Sequence, residues 1–217
     1  SAKRDDLNQI GEVGVGFKAV FAYTSSPRIF SGDFALEIRD LCVPSWLVQN
    51  PSRGGETRFE FPFDNPDKSP HTCFEETAEW LNRTTDNVVL FLRNIQSICW
   101  EIEGKGNGWV TRRQAREEIV EVEHRGTGDR EARSNWLLFS EPYEQAGTGA
   151  HSLSVAFKLD RTRGRSDRQG HESRSVFKVV PIEERGRAAG QLSIYFPAAK
   201  ETTGLRFHIH GPYASTV

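Results

Sequence analysis

The stretch that most limits the fold is residues 10–24, IGEVGVGFKAVFAYT. Gly11, Gly14 and Gly16 lie close together, and an apolar pattern of helical spacing, Phe17, Val20 and Phe21, starts directly after them. Glycine takes up positive φ and lets a ligand come close to the backbone. The first turn of a helix adds unpaired N–H groups and the positive end of a dipole. A glycine run feeding a helix is therefore an anion cradle, and the usual anion is a phosphate chain. Lys18 is placed to reach a terminal phosphate as a point charge. The plainer alternative is a tight turn before a core helix, with Lys18 simply solvated.

Behind this segment the pattern turns to strands. Residues 28–31 and 34–40 form a hairpin signal around Ser31-Gly32-Asp33. Phe34, Leu36 and Ile38 alternate with Ala35, Glu37 and Arg39, which predicts the first set buried and the second in water. Residues 57–63 alternate again through Phe59, Phe61 and Phe63, with Pro62 marking a strand end or an edge. Thr72 is the expected cap of a helix, with Glu75 as its capping-box partner and Phe74, Ala78 and Leu81 on its buried face. The apolar run 88–92 predicts a short, fully buried strand. Both helix signals fall before residue 94, and segments around 109–122, 136–139, 153–159, 176–181, 191–196 and 205–210 all predict strand.

Bulk properties exclude several classes. The formal charge of −2 gives no general attraction to nucleic acid or to an anionic membrane. No apolar run approaches the length of a membrane span, and no leader of basic, apolar and small residues opens the sequence. Cys42, Cys73 and Cys99 are odd in number and widely spaced, so neither a disulfide framework nor a metal set is expected and a cytoplasmic setting is. The absence of methionine points to an excised piece of a longer product. The loop 161–174 holds five arginines, yet it also holds Asp167 and Glu172 and offers no aromatic for base stacking. His208 and His210 share a strand face but lack a nearby third ligand, with His151 and His171 as remote candidates.

The string GEVGVGFKAVF resembles the second glycine box of the GHKL ATPases, the group of Hsp90, MutL, DNA gyrase B and the sensor histidine kinases. The longer string IGEVGVGFKAVFAYTSSPRIFSGDF is most similar to the Hsp90-like branch of sacsin-type proteins, and LSIYFPAAKETTGLRFHIHGPYAST resembles that branch's middle or transducer module. The resemblance implies an α+β fold. Residues 1–94 would be the C-terminal part of a Bergerat-type ATP-binding sandwich with a mostly antiparallel sheet. Residues 95–217 would be a β-rich, transducer-like unit. It implies ATP and magnesium as cofactors, with the phosphates held by Gly11, Val13, Gly14, Val15, Gly16, Phe17 and Lys18. Lys3 would belong to the lid and Thr57 to the pocket, although Glu56 interrupts the family's Gly-Thr pair there.

The family's magnesium-holding Asn, water-activating Glu and adenine-reading Asp precede the glycine box, and no match to them precedes Gly11. No catalytic residue or metal ligand is therefore expected in this chain, which reads as an ATP-binding fragment whose partner is the missing N-terminal half of the domain. The resemblance leaves a homodimer open, identifies no protein client, and gives no reason to expect nucleic acid or membrane. The alternative is a degenerate, non-catalytic assembly module; nucleic-acid binding through the 161–174 loop is a third reading.

Overall fold

The computed structural model describes residues 15–49, 51, 55–92, 94–145, 149–162, 176–194 and 196–211. By contact density the chain falls into two compact units, one of Gly11–Trp80 and one from Leu81 onward. Residues 81–94, placed by the sequence with the first domain, cluster with the second unit.

In the first unit a short helix, α1 (Val15–Lys18), runs on as a 3-10 turn, Ala19–Ala22. Four antiparallel strands follow: β1 (Arg28–Ser31), β2 (Phe34–Arg39), β3 (Val43–Trp46) and β4 (Thr57–Glu60), in the order β3-β2-β1-β4. The expected hairpin is β1–β2, turning at Gly32, whose φ of +54° suits a residue without a side chain. The expected faces of β2 are overturned at Phe34, Ala35 and Glu37, while Leu36 and Ile38 are half-buried and Arg39 is exposed as expected. Ala35 and Glu37 are buried while Phe34 is exposed. The register explains this, because Arg28 lies directly opposite Glu37 and Phe30 opposite Ala35. That side carries a chain of ion pairs, Arg39–Glu37–Arg28–Glu60–Arg58, with contacts from 2.7 to 3.8 Å. The hydrogen bond from Arg39 lowers the Glu37 carboxyl below its ordinary range, against desolvation and with help from Arg28.

Helix α2 (Pro70–Asn82) closes this unit. Its cap is Ser69, not Thr72. The Ser69 hydroxyl accepts from the Thr72 amide at 3.1 Å, and Pro70 takes the first helical position, where its missing N–H costs nothing.

The second unit contains β5 (Ser97–Ile102), β6 (Gly106–Gln114), β7 (Ile119–Arg125), β8 (Ala132–Gln145), β9 (Gly149–Thr162) and β10 (Val176–Val180). It continues with the two-residue strands β11 (Glu183–Glu184) and β12 (Arg187–Ala188), then β13 (Gln191–Ile194), β14 (Phe196–Thr202) and β15 (His208–His210). Nine of these form one sheet in the order β14-β13-β15-β9-β8-β7-β6-β5, with β10 also paired to β9. All its pairings are antiparallel except β13 with β15. One face buries Val110, Val120, Val122, Trp136 and Ala156. The 3-10 turn Asp86–Val89 packs against β6, β7 and β14.

The expected α+β Bergerat sandwich is not the observed architecture. Strand outweighs helix, 49% to 14%, and among the described residues α2 is the one helix longer than a single turn. Part of the reason is the run 88–92, which is not a strand. Its amides close local turns, Leu90 to the Asn87 carbonyl and Leu92 to that of Val89, both at 3.3 Å, while the Arg112 guanidinium donates to the Leu90 carbonyl at 2.9 Å. With its polar atoms satisfied in this way, five apolar residues are buried without joining a sheet. No helix among the described residues is long and apolar enough to cross a membrane.

Candidate functional site

The chain enters α1 at Val15, so the last two residues of GEVGVG, Val15 and Gly16, are already helical. Gly11, Val13, Gly14 and the lid residue Lys3 lie outside the described residues. Val15 and Gly16 form the first turn by backbone. The Phe17 ring is half-buried in an aromatic cluster, 6.3 Å from Phe21, 6.4 Å from Phe59 and 6.4 Å from Phe61. Lys18 is exposed at the end of the same turn. Thr57 opens β4 opposite Ser31, and the two hydroxyls are 2.8 Å apart. The structure thus joins Phe17 to β4 through aromatic rings, while Thr57 spends its hydroxyl on a cross-strand partner.

The far end of the helical segment is clasped by a residue that sequence reasoning missed. Asp64 accepts hydrogen bonds from the Thr24 hydroxyl at 3.0 Å, from the Ser25 amide at 2.7 Å and from the Ser26 hydroxyl. Desolvation opposes the charge, but the bonds from Ser26, Ser25 and Thr24 outweigh it and bring the carboxyl down to about 2. Next to it, the Asn65 side-chain amide donates to the Phe21 carbonyl at 2.9 Å, satisfying an orphan acceptor at the helix end. No local pattern announces this clasp, because Asp64 lies 40 residues from Thr24 in the sequence.

Tyr23, Lys68 and Glu76 form a second polar group beside this clasp. Lys68 lies 4.5 Å from the centre of the Tyr23 ring and pairs with Glu76 at 2.8 Å. Burial raises the Tyr23 phenol, and its hydrogen bond to Glu76 raises it further. These contacts tie the helix end to α2 and give no reactive geometry.

In the second unit His208 and His210 enter the core from β15. His208 packs on Trp136 with ring centres 5.2 Å apart, and its Nδ1 accepts from the Gln191 amide at 2.9 Å. That fixes the neutral Nε2–H tautomer. Burial pushes the imidazole down to about 4, against the pull of Asp86. His210 stacks on Phe91 at 5.3 Å, with Nδ1 3.2 Å from the Ser193 carbonyl, so there Nδ1 is the donor. The two rings serve packing. Among the described residues no cluster of three or more His, Cys, Asp or Glu side chains could hold a metal. His171 and most of the 161–174 loop lie outside the described residues.

No family model matches the sequence, and comparison with curated proteins and with solved structures finds no match.

Proposed function

We propose that this chain holds the phosphate end of ATP within a nucleotide-driven machine of the Hsp90/sacsin type, with residues 11–18 as the cradle. The observation that carries the reading is the helical start at Val15, directly behind Gly14 and inside the string GEVGVG. Two anchors hold that segment, the Phe17 ring cluster in front and the Asp64 clasp behind. The residues fit an anion: the turn Val15–Lys18 contains no acidic side chain and ends on Lys18. Magnesium, when bound, neutralises phosphate charge, and the proposal gives it no ligand among the described residues. The role of the chain is binding and lid movement, not activation of water. Ligand free energy collected at the phosphates would shift a conformational equilibrium of the lid. The free thiols Cys42, Cys73 and Cys99 support a reducing, cytoplasmic setting.

Isothermal titration with ATP, ADP and AMP in the presence of magnesium tests this. With phosphate contacts alone, binding on the order of −4 kcal/mol, millimolar, is expected for ATP. It should weaken from ATP to AMP and disappear in Gly14→Ala. Equal heats for ATP and AMP, or an unaffected Gly14→Ala, would overturn the cradle. The exposed aromatic side of the first sheet favours a second reading, an assembly module in which the glycine run is a structural turn; in that case ATP gives no heat at all.

A further inference from the structure

The first sheet buries Phe30 on one face and carries its other aromatic side chains outward on the opposite one. Phe34 is 58% exposed, Trp46 69% and Phe59 50%. Register places all three on one face, because Ile29 lies opposite both Leu36 and Phe59, and Leu36 lies opposite Trp46. Phe34 shares that face by strand alternation. The Phe34 and Trp46 rings stack 5.9 Å apart at 22°, and Phe59 and Phe61 stack at 6.1 Å and 26°. A contiguous apolar patch of this kind marks an interaction site.

Shape and charge narrow the occupant. Four strands span about 14 Å across, and four residues run about 13 Å along. The footprint is on the order of 200 Å², well short of the ~800 Å² per partner that a stable dimer buries. A helix of three turns, about 16 Å long and ~10 Å wide, matches it. Strand addition is blocked at the margins: edge strand β3 contains Pro44, and Pro62 follows the end of β4. Arg28, Arg39 and Arg58 are all committed to the ion chain on the opposite face. Asp33 and Asp40 stand exposed at the two ends of β2. Lys18, exposed beside Phe17 at the Phe59 end, is set against these two aspartates, so the charge left around the patch is acidic on balance.

We propose that the aromatic face of the first sheet docks an amphipathic helix of a partner protein, apolar side down, with lysines or arginines along its flanks. The mode is helix-on-surface recognition with aromatic anchors. It does not rest on the nucleotide reading, although the two meet at Phe59, whose ring also lies 6.4 Å from Phe17.

The test titrates the full chain with two synthetic amphipathic helices that share one leucine face, the first flanked by lysine and the second by glutamate. The lysine peptide should bind saturably and change the emission of Trp46, and the glutamate peptide should bind at least about tenfold more weakly. Trp46→Ala and Phe34→Ser should each weaken the lysine peptide by about tenfold or more, as loss of an aromatic anchor does, with the thermal midpoint unchanged. Gly14→Ala should leave peptide binding intact, which separates this site from the cradle. Equal affinity for both peptides, or indifference to both aromatic substitutions, would overturn the proposal. So would a concentration-dependent dimer in ultracentrifugation that Trp46→Ala abolishes, since the face would then belong to a second copy.

Discussion

The two sheets treat their tryptophans in opposite ways. In the nine-stranded sheet, Trp136 is 1% exposed, and Val89, Leu90 and Leu92 of the covering segment are completely buried. In the four-stranded sheet the stacked Phe34 and Trp46 face out, while a glutamate sits inside. Both sheets alternate in sequence, so alternation does not decide which face is the inside. Cover does. The second unit supplies its own lid in residues 86–92, whose polar atoms are closed by local turns and by Arg112. The first unit turns inward the face whose charges neutralise one another across three strands.

The largest effect that would sharpen this contrast lies at the two tryptophans. Trp136→Ala removes a fully buried ring, its contact with His208 and its indole bond to the Ser134 hydroxyl. It should cost about 3–5 kcal/mol in urea unfolding, whereas Trp46→Ala should stay within about 0.5 kcal/mol. Similar losses at the two positions would break the comparison.

Acidification comes next. His208 is neutral in the fold, with its pKa lowered to about 4 from 6.5. A depressed group contributes stability above its unfolded pKa and loses it as pH falls toward and through the folded one. Unfolding measured between pH 7 and 4 should therefore show a loss on the order of 3 kcal/mol from this residue, converted at about 1.4 kcal/mol per unit. In His208→Gln the same pH series should be flatter by that amount; an unchanged slope would mean that the ring is solvated.

The smallest effect belongs to the clasp in the first unit. Asp64 is exposed, so its hydrogen bonds are partly screened, and Asp64→Asn should cost only about 1 kcal/mol. Its mark should be local: faster amide exchange across residues 15–26 with no change across β6 to β9. Uniformly faster exchange would show that the two units do not open separately.

Much of the strand pattern was legible in the sequence. The hairpin at Gly32 and the strands through 153–159 and 191–194 follow from alternation and turn residues, which are local signals. The layered ATPase sandwich was not there to be read. It came from resemblance at the glycine box, and the described chain is instead mostly strand. Residues 88–92 misled because an unbroken apolar run states burial without stating backbone shape. A helical segment was legible in the spacing of Phe17, Val20 and Phe21, but it starts earlier, at Val15 with Gly16 inside it, runs on only as a 3-10 turn, and leaves those three side chains half-buried. The clasp was not, because Asp64 meets Thr24 across a sequence separation of 40 residues, and no local pattern encodes that contact.

The pair Arg28–Glu37 has a consequence for how the first hairpin assembles. Sliding β2 by one residue along β1 would exchange every side chain between faces. Phe34, Leu36 and Ile38 would turn inward and Glu37 outward, the outcome that avoidance of water by itself selects. The native pairing wins because Arg28 sits opposite Glu37 and Gly32 makes the turn. While the hairpin is forming, however, both charges are still in water, where salt screens them beyond about 8 Å at physiological strength. Ionic strength therefore acts on the choice between two pairings before the native one is sealed. Refolded in high salt, this segment should yield a larger fraction of slipped, slowly correcting molecules, even where the stability of the finished sheet hardly changes.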